Sequence, residues 1–186
     1  MAKVIVGLGN PGKQYELNRH NVGFMALEAL AREGHGDWSP NPLSRTCRIE
    51  IGSHPVLLAE PLTYMNRSGE AVKTLLSELQ RSPKDLLLIF DDLNLPFGRI
   101  RVRERGSTGG HHGLESILIL LDTDEIVRVR MGIGEDQMPE DKSDFVLSDF
   151  PPERQADLGD MIIKAGNAVK SIINEGVSKT MAIFNA

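Results

Sequence analysis

Short apolar runs that suit buried strands alternate along this chain with segments whose apolar residues recur every three or four positions. Lys3 to Val6 reads as a buried strand that runs into Gly7-Leu8-Gly9-Asn10-Pro11-Gly12. Asn21 to Arg32 has a helical period, with Asn21 as N-cap and Phe24, Leu27 and Ala31 on one face. Arg48 to Ile51 and Val56 to Glu60 read as strands, and the Gly52-Ser53-His54-Pro55 turn between them predicts a hairpin. Ser68 to Gln80 carries Val72, Leu75, Leu76 and Leu79 in helical phase. Asp85 to Phe90 reads as a central strand, apolar on both sides as burial between helix layers requires. Gly113 to Leu121 is a helix bearing Leu114, Ile117, Leu118 and Leu121, and Val127 to Ile133 is a further strand. A long helix over Glu153 to Glu175 opens after Pro151-Pro152 and closes at Gly176, with Leu158, Met161, Ile162, Ala165, Val169, Ile172 and Ile173 as its stripe. No repeat or linker divides the pattern. It predicts one α/β domain over residues 1–186, with a twisted mixed β-sheet flanked by helices on both faces.

Composition fits such a fold: 186 residues, 40% of them hydrophobic and 25% charged, can bury a core. The longest apolar runs, Leu86 to Phe90 and Ile117 to Leu121, fall far short of the roughly 20 residues that span a bilayer. The opening Met-Ala-Lys has no basic or apolar leader, which predicts a cytoplasmic protein or the mature form of an organelle one, without membrane association. The single cysteine, Cys47, excludes an internal disulfide, and no Cys/His spacing suits zinc. Cys47 reads as a half-buried strand residue in preference to a nucleophile. A net charge of −5 argues against a nonspecific nucleic-acid coat but leaves room for a local basic patch.

The candidate chemistry gathers where strands end. The first strand runs out in Gly9-Asn10 and the central one in Asp91-Asp92, and sites in open α/β sheets form beyond the carboxyl ends of strands. Gly7-Leu8-Gly9-Asn10-Pro11-Gly12 fits a dinucleotide fingerprint, hence a nucleotide-dependent oxidoreductase. Against this, Pro11 has no N–H to offer a phosphate, the next helix starts near Asn21, and no strand ending in an acid follows about 20 residues later. No G-x-S-x-G elbow, cysteine motif or metal cluster is visible, so hydrolysis would rest on a general base, for which histidine has the right intrinsic pKa. Of the five histidines, His35 and His54 lie in turn segments. His20 stands one residue before the Asn21 cap, either as a surface histidine or as a base oriented by a carboxylate from the central strand, with Asp91 and Asp92 competing for that place. Asn10 and Asn66 are neutral amides able to hold an ester, a peptide main chain or a ribose hydroxyl; Asn66 could equally cap a helix. Tyr15 and Met65 are either apolar walls of the site or core. Arg99, Arg101, Arg103 and Arg105 alternate with other residues and so share one strand face. With Arg128 and Arg130, and with Gly106 to Gly110 leading into a helix, they form either a phosphate-binding surface or a solvated face.

The stretch from Val6 to Phe24, VGLGNPGKQYELNRHNVGF, resembles the bacterial-type peptidyl-tRNA hydrolase family. Pro61 to Gly69 (PLTYMNRSG), Phe90 to Gly98 (FDDLNLPFG) and Gly109 to Leu114 (GGHHGL) fit the same family in order and spacing, as do Arg128 to Gly134 and Phe145 to Leu147. The resemblance spans nearly the whole chain. It implies hydrolysis of the ester joining a peptide to tRNA, with His20 as the base, Asp91 as its orienting partner, and Asn10 and Asn66 positioning the acyl-ester end. It further implies substrate contacts from Tyr15, Met65, His111 and His112, and a clamp on the tRNA 5′-phosphate by Arg103 and Arg130. The partner is then peptidyl-tRNA, held by its acceptor end and 5′-phosphate; no metal or organic cofactor is implied, and the protein is expected to be a monomer. The chain departs from the family at His112, where an asparagine is usual, and at Phe90, where a histidine is common. A catalytically silent RNA-binding relative is the alternative within the same fold.

Overall fold

A computed structural model describes residues 3–186. β1 (Lys3–Gly7) lies at the middle of a seven-stranded mixed sheet, because its Val, Ile, Val core is apolar on both faces. It pairs in parallel with β4 (His54–Pro61) on one side and β5 (Leu86–Pro96) on the other. Beyond β4 the sheet continues antiparallel through β3 (Ser44–Ile51) to the edge strand β2 (Trp38–Asn41). Beyond β5 come β7 (Val127–Gly134), parallel, and β6 (Ile100–Arg103), antiparallel. α1 (Val22–Glu33) and α5 (Gln155–Glu175) cover one face, where Ile5, Leu27, Ile89, Val129, Met161 and Val169 share a core. α2 (Ser68–Glu78) and α3 (His112–Leu121) cover the other with Val6, Leu76, Leu88, Leu114 and Ile117. The α/β sheet with helices on both faces is the architecture the periodicity predicts. Among the described residues no helix is long and apolar enough to cross a membrane.

Several boundaries move for physical reasons. β2 contains Pro40, which has no N–H for a ladder and so suits only an edge position. β3 starts at Ser44 instead of Arg48, and its Cys47 is 1% exposed, fully instead of half buried. β5 continues past Phe90 to Pro96, so Asp91 and Asp92 lie within the strand. β6 is so short that Arg99 and Arg105 fall outside it, which leaves only Arg101 and Arg103 on a strand face. Gly176 does end α5, but α6 (Val177–Phe184) starts at once, with Val177, Met181 and Phe184 packed on the α5-side core. A five-residue helix, α4 (Lys142–Val146), was also not expected. Asn21 occupies the N-cap position of α1, yet its side chain does not cap: it accepts from the Asn10 N–H at 2.9 Å and donates to the Asn10 carbonyl at 2.9 Å.

Glu60 is an acid in a place made for apolar side chains. It sits on β4 opposite Arg45, fully buried, with its Oε2 accepting from Arg45 Nε at 2.6 Å and its Oε1 unpartnered. Arg45 also binds Glu28 and lies over the Trp38 ring. Burial pushes the Glu60 carboxyl up to about 8, and the Arg45 cation offsets that only in part. A carboxyl whose folded value is raised stabilises the fold while protonated, and that contribution disappears as pH rises toward about 8. Glu60→Gln mimics the protonated acid. Wild type should therefore lose thermal stability across the range from about 4.5 to about 8 more steeply than Glu60→Gln. Parallel melting-temperature profiles for the two proteins would show Glu60 ionised throughout.

Candidate active site

The site is set by a close approach of backbones. A Cβ on Gly7 would lie 2.4 Å from the Gly23 carbonyl, and one on Gly23 would lie 2.5 Å from the Leu8 and Ile89 carbonyls. Glycine at both positions lets the first turn of α1 rest directly on the ends of β1 and β5. The 3-10 turn Arg19–Asn21, immediately before α1, thereby comes down beside β5. There His20 Nδ1 lies 2.8 Å from Asp91 Oδ1. A second histidine meets the same oxygen, His111 Nε2 at 3.0 Å. His111 arrives through Gly109 and Gly110, both at positive φ (61° and 84°), and caps α3 by accepting the Leu114 N–H at its Nδ1.

These bonds fix proton positions. Burial alone would raise the Asp91 carboxyl, but the two imidazoles and the hydrogen bonds they donate hold it below the usual carboxylate range. An ionised Asp91 is acceptor only, so both facing nitrogens carry the hydrogen. His111 then has no nitrogen left, since Nδ1 is taken by Leu114. His20 has one: Nε2, which no hydrogen bond among the described residues engages, and the residue lines a cavity of about 270 Å³. Asp91 lies on one wall of that cavity, the glycine turn on another, and Lys142, Ser143 and Val146 of α4 roof it. An imidazole with a lone pair facing a cavity, backed by a buried carboxylate, can take a proton from water.

His20, Asp91 and His111 also bring three metal-ligating atoms within 4.8 Å of one another, a cluster the sequence spacing did not reveal. As bonded here these atoms serve one another, and a cation would have to displace two N–H hydrogens.

The other candidates are distributed unevenly. His112 is exposed and lines the His20 cavity beside Glu115, with its Nδ1 3.6 Å from the carboxylate. Asn10 is 7% exposed; its Oδ1 accepts the Met65 N–H at 2.8 Å, and it lines a neighbouring cavity of about 550 Å³ together with Glu60 and Asn21. Met65 belongs to the α2/α3-side core. Tyr15 is half-buried on the turn Lys13–Tyr15 and Asn66 is exposed on the turn Met65–Arg67; neither lines the His20 cavity. Asp92 also lines the His20 cavity but is not the partner of His20: its Oδ1 accepts from the Asn94 N–H at 2.8 Å and its Oδ2 from Arg130. Arg103, Arg105, Arg128 and Arg130 line a separate hollow of about 170 Å³. Arg128 belongs to that group only in part. It is buried, with its guanidinium donating to the carbonyls of Ile126, Gly106, Ser107 and Asp124 at 2.8–3.3 Å, so it holds the loop instead of offering a charge. The α4 roof was missed, and so was the bond of His111 to Asp91. A histidine after two glycines and before a helical stripe is the signal that could have found the cap.

A family model described as peptidyl-tRNA hydrolase matches residues 4–186. A peptidyl-tRNA hydrolase of Aquifex aeolicus is 46% identical over 185 residues, covering 98% of this chain and 96% of that protein. One of Thermotoga petrophila is 42% identical over 183 residues, covering 98% and 97%. The crystal structure of peptidyl-tRNA hydrolase from Acinetobacter baumannii superposes with a TM-score of 0.92 at 35% identity, covering 100% of this chain and 95% of that one.

The two imidazoles should differ in ¹⁵N NMR at neutral pH. His111 should show a pyridine-type Nδ1 and a pyrrole-type Nε2, and His20 the reverse, because each is fixed by its partner. Asp91→Asn should disturb both signals. Matching tautomers in the two rings would contradict the bonding pattern.

Proposed function

The chain belongs to the peptidyl-tRNA hydrolase family and hydrolyses peptidyl-tRNA; we propose that His20 is the base that activates the attacking water. The observation that carries this reading is the division of nitrogens around Asp91: His111 has none to spare, and His20, which lines the cavity, keeps Nε2. Nε2 takes a proton as the water oxygen bonds to the ester carbonyl carbon, and the carbonyl electron pair moves onto its oxygen. Collapse of that tetrahedral species breaks the bond to the terminal ribose oxygen. The imidazolium returns its proton to that oxygen, so tRNA leaves with its ribose hydroxyl, and the peptide leaves as a carboxylic acid that gives the remaining water proton to solvent. Asp91 orients the ring and stabilises the imidazolium while it exists.

Asn10 offers its amide N–H groups to the substrate carbonyl, since its Oδ1 is already committed to Met65. Asn66, exposed on the next turn, assists from the acyl side, and His112 at the mouth contacts the acceptor end. For the 5′-phosphate, Arg103 is the stronger candidate: Arg130 is already bound to Asp92, so phosphate and carboxylate compete for it.

His20→Ala should lower kcat by about 10²–10⁴ while the far-UV circular dichroism stays unchanged. Turnover near wild type in that folded variant would sink the mechanism.

Arg103→Ala should raise KM for full-length peptidyl-tRNA and leave kcat nearly unchanged, because the contact is remote from the ester. It should also reduce the log–log salt slope of binding by about 1. On tRNA lacking its 5′-phosphate, wild type and variant should converge; Arg130→Ala should show the same pattern more weakly. If dephosphorylation weakens the variants as much as wild type, the arginines do not bind that phosphate.

A further inference from the structure

The segment after β7 runs through α4, roofs the His20 cavity, and returns at Ser148 and Asp149. Its return end is tied to the two residues that precede His20. The Arg19 N–H donates to the Ser148 carbonyl at 3.0 Å. Arg19 Nη1 donates to Ser148 Oγ at 2.6 Å, to the Asp149 carbonyl at 2.7 Å and to the Ser148 carbonyl at 3.3 Å. Asn18 Nδ2 donates to Asp149 Oδ1 at 2.6 Å, and the two residues pair as an isolated antiparallel bridge. The guanidinium carbon lies 4.4 Å from the centre of the Phe145 ring, on α4 itself, and 5.1 Å from that of Phe150.

Arg19 is only 7% exposed, while Ser148 and Asp149 are exposed loop residues. A buried guanidinium is costly unless its donors are met; here Nη1 is met by a loop instead of by the core, while Nε is left without a partner. Nη1 alone makes the three contacts, and the guanidinium plane packs near two rings, a stacking that a lysine ammonium cannot provide. What this arrangement fixes is the position of the roof segment. The fixing residue is joined by one peptide bond to His20, within a single 3-10 turn.

We infer that Arg19 is a positioning residue for the hydrolysis, a tie that sets the α4 roof and the His20 imidazole in register with each other. The inference rests on His20 as the base. A roof displaced by lost contacts at Ser148 drags the 3-10 turn with it and loosens the Nδ1 bond to Asp91; a roof held in place keeps Nε2 aligned on the cavity.

The test compares wild type, Arg19→Met, Ser148→Ala and His20→Ala. Methionine keeps an unbranched stem between the phenylalanine rings and removes the donors; alanine at exposed Ser148 removes one acceptor without disturbing the core. Arg19→Met should lose about tenfold or more in kcat with a smaller change in KM. Amide exchange over 142–148 should accelerate while that of α5 stays slow, and the His20 Nδ1 proton signal should broaden. Ser148→Ala should show each effect more weakly, and it decides the matter if Arg19→Met fails to fold. Wild-type kcat in the folded variants, or a kcat loss with unchanged exchange over 142–148 and an unchanged Nδ1 signal, overturns the inference. Loss of activity in His20→Ala beside normal turnover in the Arg19 and Ser148 variants rejects the tie alone. Normal turnover in His20→Ala rejects the base and with it the reason for the tie.

Discussion

A single carboxylate, Asp91, sets the terms for the rest of the site. It lies on β5, the strand between β1 and β7, and it is 2% exposed. An ion this deep is tolerated only when nearby donors replace the lost water. The two donors come from opposite layers: His20 leads into α1 on one face of the sheet, and His111 caps α3 on the other. Both helices present their N-terminal, partially positive ends, which adds to the stabilisation of the anion. The carboxylate therefore links the two helix layers at the carboxyl edge of the sheet. Removing either histidine leaves it short of a donor, so catalytic geometry and structural integrity are coupled at this point.

The same bonding makes two neighbouring histidines unlike. Their rings are 4.9 Å apart and share one oxygen, yet only one retains a usable lone pair. His111 uses its second nitrogen as a helix cap, and this cap is what frees His20 from competition. The proposal of His20 as the base rests on which nitrogens are already committed. Phe90 packs edge-on against His111 at 5.0 Å and adds no further titrating group to the cluster.

Much of this was legible in the sequence, because the signals were local. The apolar run Leu86 to Phe90, the stripes of α2 and α5, and the polar residues ending two strands required only periodicity. The motif order pointed to His20 and Asp91, and the fold brings them within hydrogen-bond distance. What escaped depends on contacts remote in sequence. An arginine on an alternating strand reads as surface until a loop closes over it, as residues 106 and 107 do over Arg128. Asn21 reads as a cap until Asn10, 11 positions earlier, claims both ends of its amide. Trp38–Asn41 contains a proline and carries no strand signal, but at a sheet edge the missing N–H costs nothing. The roof helix α4 is too short for its period to register, and its position is set by Arg19, more than 120 residues away in the chain.

Asp91 and Asp92 illustrate how one strand can serve two ends of a substrate. Consecutive side chains on a strand point to opposite faces. Asp91 follows Ile89 toward the α1 side and meets His20, whereas Asp92 follows Phe90 toward the other side and meets Arg130. In the proposed mechanism the first face receives the ester and the second, through Arg103 and Arg130, the 5′-phosphate. Asp92 lies on the walls of both hollows, so its contact with Arg130 joins them. Under the proposed reading, a phosphate that competed for Arg130 would leave Asp92 without its cation beside the His20 cavity, so adjacent residues would couple the two ends of the substrate electrostatically.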